Sequence, residues 1–86
     1  MNPRIIKVQA HPDYTLTLTF TNGEIRRFDV GPYLERGIFQ ELKDLRIFNS
    51  VQPFLGSIQW RNGQDLCPDT LYLDSQPLSS EHNKAG

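Results

Sequence analysis

The sequence is short of most features that mark a specialised chemistry. Its single cysteine, Cys67, excludes an internal disulfide or a multi-cysteine metal site and agrees with a reducing compartment. Mean hydropathy is -0.50, and no apolar run approaches the ~20 residues that a helix needs to cross a bilayer. No membrane association is expected. The opening Met1-Asn2-Pro3-Arg4 lacks the apolar stretch of about 7 to 15 residues found in a secretory signal, so a cytoplasmic location is expected. Neither sign of charge dominates: 9 Lys and Arg stand against 10 Asp and Glu, for a net charge of -1. A general polyanion binder normally carries a strong positive excess, so nucleic acid is not the expected partner.

What is present is punctuation. Phe20-Thr21-Asn22-Gly23 is echoed by Trp60-Arg61-Asn62-Gly63, each ending a β-like run and preceding a carboxylate, Asp29 and Asp65 respectively. Asn-Gly is a strong hairpin signal because both residues tolerate positive φ. With 86 residues, the chain is expected to form one small α+β domain of antiparallel hairpins with two or three short helices packed on the sheet. Residues 1–74 are assigned to that domain, and the polar residues 75–86 to a disordered tail.

Along the chain, Ile5, Ile6 and Val8 suggest a strand that His11-Pro12-Asp13 breaks. Tyr14, Leu16, Leu18 and Phe20 then alternate with Thr15, Thr17 and Thr19, the pattern of a half-buried strand. A two-residue Asn-Gly turn would pair Leu18 with Arg27 and put polar groups on the apolar face. A three-residue loop with Gly23 left-handed instead pairs Leu16 with Phe28 and Tyr14 with Val30, and this bulged hairpin is the expected one. Pro32 suits a helix start and Gly37 its left-handed cap. Phe39, Leu42, Leu45 and Phe48 recur every three residues, predicting a 3₁₀ turn, a short helix capped by Asp44, and four core residues. Val51 to Phe54 and Ser57 to Trp60 predict a second hairpin across Leu55-Gly56, with Pro53 marking an edge strand. Pro68 opens one more helical turn, and Leu66, Leu71 and Tyr72 are expected to seal the core.

Candidate functional residues are few. Asp65 and Asp69, with Asp74 nearby, could bind a divalent cation or act in acid/base chemistry, with Asp29 as a further ligand brought near by the hairpin echo. The structural reading, turn and helix capping, is favoured for all of them. Cys67 would need a neighbouring base to act as a nucleophile and is read as a small packing residue. Arg26 and Arg27 are consecutive on a strand and point to opposite faces. Arg26, Arg36 and Arg61 would carry a DNA-contacting role, against which the interspersed acids argue. Trp60 suits a binding hot spot or a small core, with the core favoured. No metal, no cofactor and no catalytic residue is expected.

Taken in order, Tyr14 to Phe20, Asn22-Gly23, Phe28-Asp29, Gly37-Ile38-Phe39, Leu42, Phe48, Ile58-Gln59-Trp60, Asn62-Gly63, Asp65-Leu66 and Pro68 to Tyr72 resemble the small bacterial family called domain of unknown function 2442. The resemblance runs from about Ile5 to Tyr72 and implies a small α+β domain without established catalytic residues. It also implies a gene often placed beside that of a second small protein, an arrangement suggestive of a toxin-antitoxin pair. Some relatives carry a helix-turn-helix domain, for which this chain has no room. The expected function is therefore a non-catalytic protein-binding module, antitoxin-like, whose partner is itself or a genomic neighbour. It would be met through an exposed strand edge or the tail. The alternatives are a small metal-dependent or ligand-binding enzyme using the Asp65/Asp69 loop, and a DNA-contacting regulator.

Overall fold

The computed structural model describes residues 2–78; of the expected tail, residues 79–86 lie outside the described residues. Alternating Thr and apolar residues make a strand with one dry face, and this pattern builds the centre of the first sheet. Strands β1 (Ile5–Ala10), β2 (Thr15–Phe20) and β3 (Ile25–Asp29) form an antiparallel meander in which Leu16 pairs with Phe28 and Thr15 with Asp29. Leu16, Leu18 and Phe20 are fully buried. The bulged hairpin is present: the Gly23 amide donates to the Phe20 carbonyl, and Gly23 has φ +89°. A one-residue slip would have turned the apolar face of β2 to water, which is why this register wins.

Tyr14 is not in β2, contrary to the alternation. It closes the β1–β2 turn at φ +66°, its amide donating to the His11 carbonyl. This costly conformation for a bulky residue is offset by what it delivers. The Tyr14 ring meets Phe48 edge-on at 5.2 Å, and its hydroxyl donates to the Lys43 carbonyl.

Two 3₁₀ segments follow, Gly31–Tyr33 and Gly37–Lys43, and then helix α1 (Leu45–Phe48). Pro32 does sit at a helix start, but Gly37, at φ +42°, opens the second segment instead of capping the first. The Asp44 side chain accepts from the Arg46 amide, as expected of a cap. Of the four residues at period three, Leu42 and Phe48 are fully buried and Phe39 is half-buried, but Leu45 is exposed. The change from 3₁₀ to α winding at Asp44 rotates the face and carries Leu45 out of line.

A second sheet is formed by β4 (Gln52–Phe54), β5 (Ser57–Gln59) and β6 (Asp65–Leu66), in the order β4-β5-β6. Its β5–β6 loop repeats the first Asn-Gly loop bond for bond. Gly63 donates to the Trp60 carbonyl, Gln64 to the Asn62 side chain, and Trp60 to the Gln64 carbonyl. Helix α2 (Pro68–Leu73) starts at its proline, and β7 (Gln76–Pro77) then pairs with β3. Residues 75–77, assigned from sequence to the tail, thus belong to the fold: Ser75 is buried and β7 completes the sheet order β1-β2-β3-β7. A two-residue strand containing proline carries no periodic signal, so composition alone hid it. The α+β architecture is as expected, and the two sheets meet where the Ile5 amide donates to the Gly56 carbonyl at 3.0 Å.

Between the sheets lies one core containing Ile5, Phe20, Phe28, Phe48, Ile58, Trp60 and Leu71, among others. Burying each such side chain contributes about 1.5–3 kcal/mol. Among the described residues no helix is long and apolar enough to cross a membrane.

Candidate functional site

The sequence-predicted site residues are dispersed. Trp60 is in the core, 2% exposed, its indole nitrogen donating at 3.0 Å to the Phe48 carbonyl and its ring stacked on Phe48. The Asp29 carboxylate accepts from the Gly31 amide at 2.8 Å and fixes the turn that leaves β3. Asp69 accepts from the Asn2 side chain at 3.1 Å. Asp65 lies on β6, exposed, with no partner for its carboxylate among the described residues. Asp29 and Asp65 line different grooves, one with Asp74 and Gln76, the other with Phe54 and Cys67. The hairpin echo therefore does not bring them together. Among the described residues no three His, Cys, Asp or Glu side chains are placed to hold a metal ion.

Arg26 is committed to a structural cluster. Its guanidinium pairs with Glu24 at 2.8 Å, donates to the Ser75 hydroxyl and carbonyl, and lies 4.6 Å from the centre of the Tyr72 ring. Tyr72 donates its hydroxyl to Glu24, as does the Asn22 amide. The Tyr72 hydroxyl, then Asn22, hold the Glu24 carboxyl below its ordinary pKa, and Glu24 in turn raises that of Tyr72. This cluster staples α2 and β7 to the first hairpin. Arg36 stacks on Tyr33, so two of the three arginines considered for DNA are engaged within the fold.

The outer face of the first sheet carries a trough of about 490 Å³, lined by His11, Asp13, Thr15, Thr17, Arg27 and Leu78 among others. Its groups satisfy one another. His11 and Thr17 are 2.7 Å apart, Thr15 donates to Asp13 at 2.6 Å, and Arg27 pairs with Asp13 at 3.1 Å. The Thr15 hydroxyl is the main cause of a lowered Asp13 pKa.

The second hairpin does turn at Leu55-Gly56 as expected, but the state of Leu55 at its tip was not foreseen. Leu55 is 81% exposed and has φ +51°, with Gly56 following at +83°. Two successive positive φ angles define a two-residue turn that favours Asn-Gly, and leucine there costs of order 1–3 kcal/mol. Tyr14, the other non-glycine residue at positive φ among the described residues, packs its ring on Phe48 in return; Leu55 shows its side chain to water. The tip itself is held firmly, because Arg4 donates to the Leu55 carbonyl at 3.1 Å. Behind it lies a groove of about 340 Å³ lined by Phe54, Leu55, Ser57, Leu66, Cys67 and Pro68 among others, with Asp65 on its rim. The one available signal was Leu-Gly standing where the chain elsewhere uses Asn-Gly.

The family model described as protein of unknown function (DUF2442) matches residues 5–77. The chain belongs to this family. The match begins with β1 and ends with β7, so the DUF2442 unit is the whole two-sheet fold, including the strand that composition assigned to the tail. Comparison with curated proteins and with solved structures returns no match.

Proposed function

We propose that this DUF2442 chain is a non-catalytic binding module that engages a protein partner through the β4–β5 tip, as the antitoxin-like member of a two-protein pair. The partner is a second copy or the product of a neighbouring gene. The observation that carries this reading is Leu55, a large apolar side chain held in a left-handed conformation and 81% exposed. Folding favours glycine or asparagine there and solubility favours a polar residue, so the position answers to a third requirement. Exposed Phe54 and the apolar groove behind it extend the same surface. Apolar anchors at the centre of a contact supply most of its binding energy.

The experiment is light scattering coupled to size-exclusion chromatography on the chain alone and co-expressed with its genomic neighbour, for wild type and Leu55→Asn. A complex that wild type forms and the folded variant loses supports the reading; a complex indifferent to Leu55, or no complex with either partner, refutes it.

A further inference from the structure

Resting on the proposed protein-binding role of the tip, we infer that the groove behind Leu55 receives an amphipathic helix of a different protein, one that carries a lysine or arginine beside its apolar face to meet Asp65; the described α-helices of a second copy, Leu45–Phe48 and Pro68–Leu73, are too short to present such a face.

A partner that adds as a β-strand needs a free edge with donors and acceptors in register. Both edges of the second sheet are poor templates: Pro53 lies within β4, and β6 is only the two residues Asp65–Leu66, ending one residue before Pro68 starts α2. Pro53 pairs opposite Ile58, between the Gln52–Gln59 and Phe54–Ser57 pairs that flank the two-residue turn. Its ring therefore stands where an outward N–H would be. The floor is equally closed, because the Ser57 hydroxyl already donates to the Leu66 carbonyl. A segment docking here receives little help with its own amides and carbonyls, and a helix satisfies them internally.

Phe54, Ser57 and Asp65 share the outward face of this sheet by the strand alternation and pairing. Asp65 is the one ionised group lining the groove, and its carboxylate has no partner among the described residues. An apolar groove with one free carboxylate on its rim complements an apolar helix face flanked by a cation and repels one flanked by Asp or Glu.

The test is selection of a displayed library of random 16-residue peptides on the immobilised full chain, counter-selected on Leu55→Asn. Enriched peptides are expected to place apolar residues at i, i+3 or i+4, and i+7 with an adjacent Lys or Arg, and to bind Asp65→Asn about threefold to fivefold more weakly. Peptides that depend on Leu55 but show strand alternation, or acidic flanks, or no loss with Asp65→Asn, would overturn this inference while leaving the tip as a protein contact. No Leu55-dependent peptide at all would overturn both.

Discussion

The Arg4 guanidinium donates a 3.1 Å hydrogen bond to the carbonyl of Leu55, and so ties the chain ahead of β1 to the tip of a hairpin in the other sheet. A Cβ on the adjacent Gly56 would stand 2.1 Å from Arg4 Nη1, so the same arginine occupies the space that glycine leaves. Leu55 is thereby presented on a braced turn.

Gly56→Ala should therefore cost more stability than Gly23→Ala or Gly63→Ala. All three lie at positive φ, but nothing is within 4 Å of a Cβ at Gly23 or Gly63. Those two substitutions should each destabilise by about 1–2 kcal/mol from backbone conformation alone. Gly56→Ala adds displacement of Arg4. In urea unfolding, the combination of Arg4→Ala with Gly56→Ala should destabilise less than the sum of the two single changes.

Leu55→Asn should raise stability, by about 0.5–1 kcal/mol, because asparagine tolerates the left-handed region and little buried area is lost. Chemical denaturation reads this directly. A loss of stability would mean that the Leu55 side chain supports the fold, and its role as an outward anchor would fail.

Trp60→Phe should destabilise by about 1–3 kcal/mol from the Phe48 carbonyl left without its donor, with a further cost for lost ring volume. The indole is 2% exposed and is the chain's only tryptophan. Its fluorescence should shift to longer wavelength on unfolding and report the same transition as circular dichroism.

Much of this fold was legible because few alternatives satisfied both period and turn chemistry. Leu16 opposite Phe28 followed from asking which loop length keeps β2 dry on one face, and the Asp44 cap from its position ahead of Leu45. The legible parts were local. Tyr14 escaped because nothing in a run of side chains announces a left-handed tyrosine, which only its distant contacts with Phe48 and Lys43 explain; Leu55 left one trace, Leu-Gly where the chain elsewhere uses Asn-Gly, and no contact within the fold explains its side chain. β7 escaped because pairing with β3, not composition, makes it a strand. The acidic residues suggested a cluster by proximity in sequence, yet Asp29, Asp65 and Asp69 each serve a separate place in the fold.

Stability should fall on acidification partly through Glu24. Its carboxyl is held below the ordinary value of 4.5 by the Tyr72 hydroxyl first and Asn22 next. A group with a depressed folded-state pKa contributes above its unfolded pKa and loses that contribution as pH drops through the folded one. Glu24→Gln should therefore flatten the dependence of unfolding free energy on pH below about pH 4.5. On the alkaline side the sign reverses: Tyr72 is raised above 10.0, chiefly by Glu24, so its contribution is complete below that pH and lost as pH rises through the raised value. An acid limb unchanged in Glu24→Gln would contradict the role given to the staple.

The central claim is that Leu55 is exposed for a partner, and it is tested most directly by measuring the mass of wild type and Leu55→Asn in solution, alone and co-expressed with the neighbouring gene product. The account predicts a stable dimer or heteromeric complex for wild type and a folded monomer for Leu55→Asn. Identical masses for the two proteins under both conditions would contradict it.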